Sequence, residues 1–565
     1  MGSRKQGRAG HYAVDGRPPS PAAAALVTAV EMSGAPQFAS VHAAFAASAE
    51  RFGDNAFLRA PPGNTADNNP AGISYSYQQT RKRAKELTAN YAAHGLDHGN
   101  RVALILDSRV DVYLHLLALN ALGVSIVPLH SLGTDEDLRY MILHSDCRLV
   151  VAADDYRERA ATLLDGSSVV LSESELADRT ATAPEVSTGP ASEAAIVYTS
   201  GTTGKPKACM LSNEYFLALG EWYNSLGGIC AMDSTDRLLT PLPPNHMNAL
   251  ATSFMAMMLC GGCVVQLDRF HPRSWWQTCR EEGATIIHCL GVMVAILLTL
   301  PEEASDDFSG QIKFCFGPGP DPRHQARFEK RFGFPLVDAW AMTETGAGAL
   351  TIAYEEPRHV GERCIGKPGD FMEYRIVDEQ DKDLSAGEAG ELLVRSKGKA
   401  PRRNFFSGYY KDEAATEEGW RGGWWHTGDV VRQGPDGNLF FVDRRKNVIR
   451  RSGENIAAVE VEAALLQSPE VKNCAVCAVP DELRGDEVFA FVIPAAGNPN
   501  AERIFRHCME QLTYFKTPGY IAFVEELPLT ASQKVSRGDL KRMAAERVAN
   551  NECIDLRTMK RRKAG

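Results

Sequence analysis

The sequence lacks a long hydrophobic run, an excess of positive charge and regularly spaced cysteines. No window approaches the roughly 18 uncharged apolar residues that a membrane-spanning helix needs, so we predict no membrane span. A net charge of −10 argues against a general nucleic-acid binder. The 13 cysteines follow no disulfide framework and indicate reduced thiols, which predicts a cytoplasmic protein.

Two Cys-x-x-Cys pairs stand out among these cysteines. Cys260/Cys263 and Cys474/Cys477 each lie in an apolar run, and the two pairs are far apart in the chain. We interpret all four as small core residues, and a zinc or redox site remains the alternative.

The two ends of the chain differ from the rest in composition. Residues 1–35 are rich in Arg, Gly, Pro and Ala without the apolar segment of a secretory signal, and we predict a disordered leader. Residues 546–565 form a predicted basic tail, whose cationic stretch 557–563 we expect to be solvated.

At 565 residues, with 44% apolar and 23% charged residues, the chain is too long for one core and has the composition of a globular protein. From residue 40 to about residue 390, strand-like apolar runs alternate with amphipathic segments, which predicts an α/β fold with largely parallel sheets. Short strands and Gly-rich turns between 390 and 441 predict a small β subdomain. We therefore predict a large N-terminal α/β domain over residues 36–445 and a smaller C-terminal α+β domain over 446–545.

Residues 198–207 read Tyr-Thr-Ser-Gly-Thr-Thr-Gly-Lys-Pro-Lys and follow the apolar run 194–197. Glycines bring backbone N–H groups close to an anion, and hydroxyls and lysines donate to phosphate oxygens. The loop is not a Walker A motif, because Pro206 stands where that motif has Ser or Thr. A strand that ends in such a loop predicts a phosphate site, with a flexible surface loop as the alternative.

Four further segments carry polar chemistry in a fixed order. They are Ala-Trp-Ala-Met-Thr-Glu-Thr-Gly at 339–346, Trp-His-Thr-Gly-Asp at 425–429, the basic run 441–456, and the stretch 527–537 with its single lysine. Together with the loop at 198–207, they resemble the acyl/aryl-CoA synthetases of the adenylate-forming superfamily, the AMP-binding enzymes. The resemblance covers residues 38–540. Residues 273–276, 441–445, 451–455 and 514–518 resemble in particular the crotonobetaine/carnitine–CoA ligase group.

The resemblance implies an ATP-dependent carboxylate–CoA ligase that forms acyl-CoA through an acyl-adenylate and releases AMP and pyrophosphate. Its substrates would be ATP, coenzyme A and a small to medium carboxylic acid, with a carnitine- or crotonobetaine-like acid as one option. Mg²⁺ would be held by Glu344 and Thr202, in keeping with its preference for carboxylate and phosphate oxygens. The oligomeric state stays open.

The resemblance also assigns roles to individual positions. Four would be catalytic: Lys534, Glu344, Lys207 and His246. Eleven would bind ATP: Thr199, Ser200, Gly201, Thr202, Thr203, Gly204, Gly317, Trp340, Thr343, Asp429 and Arg444. Three would bind coenzyme A: Ser452, Gly453 and Arg450. Lys446 would be the hinge about which a mobile C-terminal domain rotates between the two half-reactions.

The acyl pocket is the part that these motifs describe least. His246 would gate it, and the helix-like run 251–258 with its methionines would line it. Three positions replace a family glycine, namely Ala208, Ala341 and Gln533, and we expect the Ala341 methyl group to narrow the acyl site. For a quaternary ammonium substrate, the aromatic candidates are Trp222, Tyr223 and Trp276.

Three other functions share these motifs. An adenylating enzyme could load a carrier protein in trans, a non-catalytic binder could retain the fold, and an oxygenase of the luciferase kind uses the same adenylation chemistry. The presence of Lys207, Glu344, Asp429 and Lys534 argues against the non-catalytic binder.

Overall fold

The computed structural model describes residues 36–63, 71–131, 133–164, 166, 168–199, 206–444, 447–451, 454–481, 484–495, 499–529 and 535–560. The predicted leader lies outside these residues. Among the described residues, no helix is long and apolar enough to cross a membrane. The cysteines are free, and only Cys260 and Cys553 are more than marginally accessible, so the two Cys-x-x-Cys pairs form neither disulfides nor a zinc cluster there.

Helices and strands alternate through the first third of the chain. The elements are α1 Val41–Phe52, β1 Ala56–Ala60, β2 Ile73–Ser76, α2 Tyr77–Ala93, β3 Arg101–Ile105, α3 Asp111–Ala121, β4 Ser125–Pro128, α4 Asp135–His144, β5 Leu149–Ala152, α5 Asp154–Leu164, β6 Val169–Ser172, α6 Glu173–Ala177, β7 Glu193–Thr199, β8 Lys207–Ser212 and α7 Asn213–Ser225.

The alternation continues to about residue 352, with one π-helix at Asn248–Ser253. The elements are β9 Arg237–Thr240, α8 Phe254–Cys260, β10 Cys263–Gln266, α9 Trp275–Glu281, β11 Ile286–His288, α10 Gly291–Thr299, β12 Phe314–Phe316, α11 Pro322–Phe332, β13 Leu336–Val337, β14 Ala339–Trp340 and β15 Thr351–Ile352.

Strands dominate from there to residue 444, and a mixed region follows. The elements are β16 Cys364–Gly366, β17 Met372–Val377, β18 Ala389–Ser396, β19 Gly408–Tyr409, α12 Glu413–Gly419, β20 Trp425–Gln433, β21 Leu439–Arg444, β22 Ile449–Arg451, β23 Glu454–Ile456, α13 Ala458–Leu465, β24 Val471–Asp481, β25 Gly485–Pro494, α14 Ala501–Gln511, β26 Tyr520–Phe523, α15 Arg537–Ala549 and β27 Ile554–Asp555.

Two seven-stranded sheets form the centre of the N-terminal part. Their strand orders are β13-β12-β11-β9-β10-β1-β2 and β19-β8-β7-β4-β3-β5-β6, and most neighbours in both are parallel. Helices cover both faces, so whole strands such as β5 are buried and read as continuous apolar runs. The α/β prediction is confirmed.

The small β subdomain begins earlier than predicted. Strands β16-β21-β20-β18-β17 form one antiparallel sheet whose first strand starts at Cys364, not near residue 390. The expectation of α/β alternation up to residue 390 was therefore wrong. Strand β16 has only three residues, and the four central residues of β17 are half-exposed, so neither strand shows the apolar run that marks a buried parallel strand.

The C-terminal part is an α+β unit, as predicted. Strands β23-β22-β25-β26-β27 form a mixed sheet to which β24 adds by pairing with β25. Helices α13 and α15 pack against β24, and α14 packs against α13. Residues 557–560, the described part of the cationic stretch, are not a solvated end, contrary to our expectation. Strand β27 pairs with β26, and the Lys560 ammonium is buried in an ion pair with Glu487, which also pairs with Arg451.

Candidate active site

A cavity of about 300 Å³ opens where the parallel sheet that contains β12 and β13 meets the antiparallel sheet that contains β20 and β21. Its lining divides into two parts. One part carries every charged lining residue, and we call it the charged face: Asp338, Arg363, Asp429 and Arg444. The other part comes from α7, the π-helix and the end of β12, and we call it the uncharged chamber: Leu219, Trp222, Met247, Asn248, Thr252 and Phe316.

Asp429 is the centre of the charged face. Its Oδ2 accepts a hydrogen bond from the Trp340 indole Nε1 at 2.8 Å, and its Oδ1 lies 3.1 Å from the Arg444 Nε. Asp429 and Arg444 stand opposite each other on the neighbouring strands β20 and β21, so the sheet register itself brings them together. Asp429 is only 2% exposed, whereas the Arg444 side chain is half-exposed. A carboxylate has about four acceptor sites, so Asp429 keeps capacity for a ligand hydroxyl.

A glycine turn after β12 borders this face. Gly319 adopts a positive φ of 68° and donates its N–H to the Asp338 Oδ1 at 2.9 Å. A Cβ at Gly317 would lie 2.7 Å from Leu336 and 2.9 Å from the Cys289 thiol, so a side chain there would force its neighbours apart. The next helix, α11, fixes the end of the turn, because Asp321 caps it by accepting from the Arg323 N–H.

Burial changes the chemistry of Asp338. Burial raises the pKa of this carboxyl group to about 7, against the opposing hydrogen bonds from the N–H groups of Gly319 and Ala339. Asp338 stands immediately before the motif 339–346 that the sequence had already identified, yet we did not predict it as a site residue.

Arg363 is the second charged residue that sequence reasoning missed. It adopts φ 59°, an uncommon conformation for a residue with a Cβ, and its guanidinium lies 4.8 Å from the centre of the Phe441 ring. Its Nη1 donates to the Val442 carbonyl at 3.0 Å. Burial lowers its pKa, and the nearby carboxylates of Asp443 and Asp338 oppose that shift. No sequence signal marks Arg363, because it lies between motifs.

Lys207 and Glu344 meet through a residue that we did not predict, Tyr409. The Tyr409 hydroxyl donates to the Glu344 Oε1 at 2.7 Å, and the Lys207 Nζ lies 4.6 Å from the centre of the same ring. Burial raises the pKa of Tyr409, and the Glu344 carboxylate raises it further, so the hydroxyl stays protonated and donates. Tyr409 pairs with Cys209 on β8, two residues after Lys207, and the strand pairing thereby sets this geometry.

The ends of the predicted phosphate loop are close together. Thr199 ends β7 and stands opposite Lys207, which begins β8. Thr343 is held by its backbone carbonyl, which accepts from the buried Tyr215 hydroxyl at 2.9 Å. Several predicted site residues lie outside the described residues. They are the loop residues Ser200, Gly201, Thr202, Thr203 and Gly204, and also Lys446, Ser452, Gly453 and Lys534. Arg450 is described only as part of the backbone of β22.

His246 lies beside the cavity rather than in its lining. It precedes the π-helix, and its carbonyl accepts from the Leu250 N–H. The cavity is lined instead by the next two residues, Met247 and Asn248. The run 251–258 is helical as expected, but only Thr252 of that run lines the cavity, and its methionines are buried in the core.

Only one of the three aromatic candidates for a cationic substrate reaches the cavity. Trp222 lines the uncharged chamber, and Ala341 lies next to Trp340 in the lining. Tyr223 is fully buried and hydrogen-bonds His288, and Trp276 packs against Phe332 in a separate core.

The residues around Glu344 fit a hard divalent cation that is also bound by a ligand. Glu344 supplies a carboxylate, one oxygen of which is oriented by Tyr409. The described residues contain no cluster of three or more His, Cys, Asp or Glu that could hold a metal alone. One carboxylate with phosphate oxygens is the donor set typical of Mg²⁺.

Comparison with known proteins also divides the chain into an N-terminal part and a C-terminal part. A family model described as AMP-binding enzyme matches residues 45–410, and a model for the AMP-binding enzyme C-terminal domain matches residues 460–534. The sequence is 30% identical over 520 residues to a sulfoacetate–CoA ligase from Cupriavidus necator, covering 88% of this chain and 97% of that protein.

Two further similarities agree with these matches. A crotonobetaine/carnitine–CoA ligase from Shigella flexneri is 29% identical over 490 residues, which covers 83% of this chain and 93% of that protein. The solved structure of the O-succinylbenzoate coenzyme A synthetase from Bacillus subtilis, in complex with ATP and a magnesium ion, is similar with a TM-score of 0.75 and 25% identity. That similarity covers 88% of this chain and 99% of the other. The resemblance stated from the motifs is confirmed.

Proposed function

The chain belongs to the family of AMP-binding enzymes, and from that premise we propose that it is an ATP-dependent carboxylate–CoA ligase, which forms acyl-CoA through an acyl-adenylate. The observation that carries this proposal is one cavity with two unlike parts. Its charged face suits a nucleotide, and its uncharged chamber suits the organic part of an acid.

The first half-reaction overcomes a chemical difficulty. A carboxylate is a poor acyl donor, because its leaving group would be oxide. Attack of a carboxylate oxygen on the α-phosphorus of ATP forms the acyl-adenylate and expels pyrophosphate. Both reactants are anionic, so the site has to offset charge in the transition state. Glu344, together with the ATP phosphates, would hold Mg²⁺, which would supply part of that positive charge.

The charged face and the features next to it, Trp340 and the glycine turn after β12, hold the nucleotide. Trp340 offers a flat aromatic surface to the adenine ring, and Asp429 accepts hydrogen bonds from the ribose hydroxyls. Arg444 contacts the sugar while its ion pair orients the Asp429 carboxylate. Gly317 does not line the cavity itself, but its missing side chain lets the turn that carries Gly319 pack against Leu336 and Cys289.

The phosphates extend toward the start of β8. Lys207 supplies charge there, and the donors of Thr199 and of the loop 200–204 bind the β- and γ-phosphates. Lys534, which lies outside the described residues, bridges the substrate carboxylate and the α-phosphate. Thr343 directly precedes the Glu344 carboxylate and contributes to the same nucleotide site.

The second half-reaction transfers the acyl group to sulfur. The coenzyme A thiolate attacks the acyl carbon, the bond from that carbon to the phosphate oxygen breaks, and AMP leaves with both electrons of that bond. The C-terminal domain rotates about Lys446 and brings Ser452 and Gly453 to the site in place of Lys534, while Arg450 binds coenzyme A. His246 borders the acyl entrance.

The cavity supports a small to medium acid. Its volume of about 300 Å³ is at the lower end of typical ligand sites, and it includes the charged face that we assign to the nucleotide. The relatives named for crotonobetaine/carnitine and sulfoacetate act on charged acids, whereas the uncharged chamber contains no ionisable lining residue. A carnitine-like acid is therefore one member of the test panel and not our first choice.

A panel of carboxylic acids, scored for pyrophosphate release with and without coenzyme A, tests the proposal. We expect acid-dependent pyrophosphate release, with turnover accelerated by coenzyme A. Pyrophosphate release that coenzyme A never accelerates would instead favour the loading of a carrier protein in trans. Release from no acid at all would refute the ligase function.

A further inference from the structure

The uncharged chamber contains a side-chain amide that is held rigidly from behind. Asn248 begins the π-helix and lines the cavity. Its Oδ1 lies 2.8 Å from the Nδ1 of His288, at the end of β11. The Ser253 hydroxyl donates to the Asn248 carbonyl, five residues earlier, at 3.0 Å and lies 2.9 Å from the same Nδ1. π-turns of this kind occur frequently at functional sites.

The charge state of His288 decides which way the amide points. His288 is fully buried, and burial lowers its pKa to about 3, so the ring is neutral and carries one N–H. No carboxylate is within ion-pairing distance of this ring among the described residues. Its Nε2 lies 2.8 Å from the Tyr223 hydroxyl, whose pKa burial raises, so that hydroxyl stays protonated.

Only one arrangement of protons places a hydrogen in every one of these contacts. Tyr223 donates to Nε2, so Nδ1 carries the ring proton and donates to both the Asn248 Oδ1 and the Ser253 Oγ. The Ser253 proton is already directed to the Asn248 carbonyl. In the flipped arrangement Nδ1 would accept from the amide N–H, and its contact with the Ser253 Oγ would hold no proton, because the Ser253 proton is directed to the Asn248 carbonyl.

The amide nitrogen of Asn248 is then directed away from His288. Among the described residues, no protein acceptor lies within hydrogen-bond distance of its Nδ2, and Asn248 is partly accessible in a cavity lining. The same chamber presents the apolar surfaces of Trp222, Phe316 and Leu219. An acyl group bound there meets an apolar wall with two N–H donors at one fixed point.

We propose that this chamber selects carboxylic acids whose acyl group carries an uncharged oxygen acceptor, such as an oxo or alkoxy oxygen, which Asn248 binds. His288 is a positioning residue that fixes the amide. A second anionic group would lie in a chamber without a cation, and a quaternary ammonium would face the positive end of the amide dipole. This inference rests on the proposed adenylation of an acid.

Matched pairs of acids test it on the full-length protein. The probes are 3-, 4- and 5-oxohexanoate against hexanoate, and the three methoxybenzoates against the corresponding ethylbenzoates. Pyrophosphate release gives kcat/KM for each acid. We expect at least one oxygen-bearing acid to exceed its methylene isostere by about fivefold to tenfold, the contribution of a neutral hydrogen bond.

Asn248→Leu should reduce that preference to less than about twofold while the isostere is still adenylated. Met247→Leu, a change next to it in the lining that removes no donor, should leave the preference intact. ATP binding measured by calorimetry should be unchanged in both variants, because neither residue belongs to the charged face.

Three results would overturn the inference. They are equal kcat/KM within every pair in the unmodified protein, a preference that survives Asn248→Leu, and an equal loss of preference in Met247→Leu. Failure of the proposed function looks different, because then neither the oxygen-bearing acids nor their isosteres release pyrophosphate, and that result would overturn both.

Discussion

The charged face and the uncharged chamber are parts of one cavity, yet they are built in opposite ways. Asp429 and Arg444 are neighbours across two strands, and their chemistry is visible in short motifs. Asn248 and His288 are 40 residues apart and meet only through packing of the π-helix against β11. The half of the reaction that the family shares therefore lies in local motifs, whereas the acid selection that we propose depends on tertiary contacts.

The largest effect that separates the two half-reactions should come from Lys534→Ala. We expect adenylation to fall by at least about a hundredfold, because charge stabilisation at the α-phosphate is lost. Thioester formation from preformed acyl-adenylate should be nearly unchanged. Stopped-flow measurement of each half-reaction checks this.

Lys446→Pro is the reciprocal variant in the same experiment. A fixed φ at the hinge should restrict domain rotation, so it should slow thioester formation and spare adenylation. Equal loss of both half-reactions in both variants would contradict the two-state picture.

A weaker effect, confined to the charged face, is expected for Asp429→Asn. The amide keeps the shape of the side chain but loses the charge that pairs with Arg444 and one acceptor for the ribose. We expect the KM for ATP to rise about 10- to 100-fold, the range for a charge-assisted hydrogen bond. The preference among acid pairs should not change. A changed acid preference with an unaltered KM for ATP would show that the two parts of the cavity are not separable.

Tyr409→Phe should have a smaller effect, of about tenfold on kcat for pyrophosphate release. The ring beneath Lys207 remains, but the hydroxyl that orients Glu344 is lost. The concentration of Mg²⁺ at half-maximal rate should rise as well, which a purely structural role would not produce. Tyr410→Phe is the control, because the Tyr410 hydroxyl bonds Asp146 at the surface. Similar Mg²⁺ dependence in the two variants would argue against a role for Tyr409.

The smallest predicted effect concerns Asp338 and stability. Its folded-state pKa of about 7 lies above the ordinary value of about 4, so the folded protein holds a proton that the unfolded chain releases between these values. The stability that this retained proton contributes to the folded protein is fully present below about pH 4 and is lost as the pH rises toward 7. Asp338→Asn should therefore raise Tm by about 2–4 °C at pH 8 and by less at pH 5. An equal Tm difference at both values would show that Asp338 titrates normally.

The sequence predicted those features whose chemistry is continuous along the chain. The strand-loop-strand from Thr199 to Lys207 and the pairing partners Asp429 and Arg444 lie where their motifs indicated. Their individual roles stay predictions, and those of Lys534, Lys446, Ser452 and Gly453 concern positions outside the described residues.

The sequence could not predict contacts made by residues that carry no motif. Tyr409 reaches Glu344 across 65 residues, because β19 adds to the edge of the sheet beside β8. Arg363 lies between motifs, and the early start of the antiparallel sheet at Cys364 was hidden because β16 has three residues and β17 is half-exposed. In each case the decisive contact depends on how two sheets meet rather than on local propensity.

The most direct test of the account follows the oxygen atoms of the acid. A free carboxylic acid that proves to be a substrate is labelled in its carboxylate with the heavy oxygen isotope and incubated with the protein, ATP, Mg²⁺ and coenzyme A. The AMP and the pyrophosphate are then analysed by mass spectrometry. Attack on the α-phosphorus predicts one labelled oxygen in AMP and none in pyrophosphate, because AMP leaves with the oxygen that bridged carbon and phosphorus. Unlabelled AMP, or label in a released phosphate, would contradict adenylation as the reaction of this cavity.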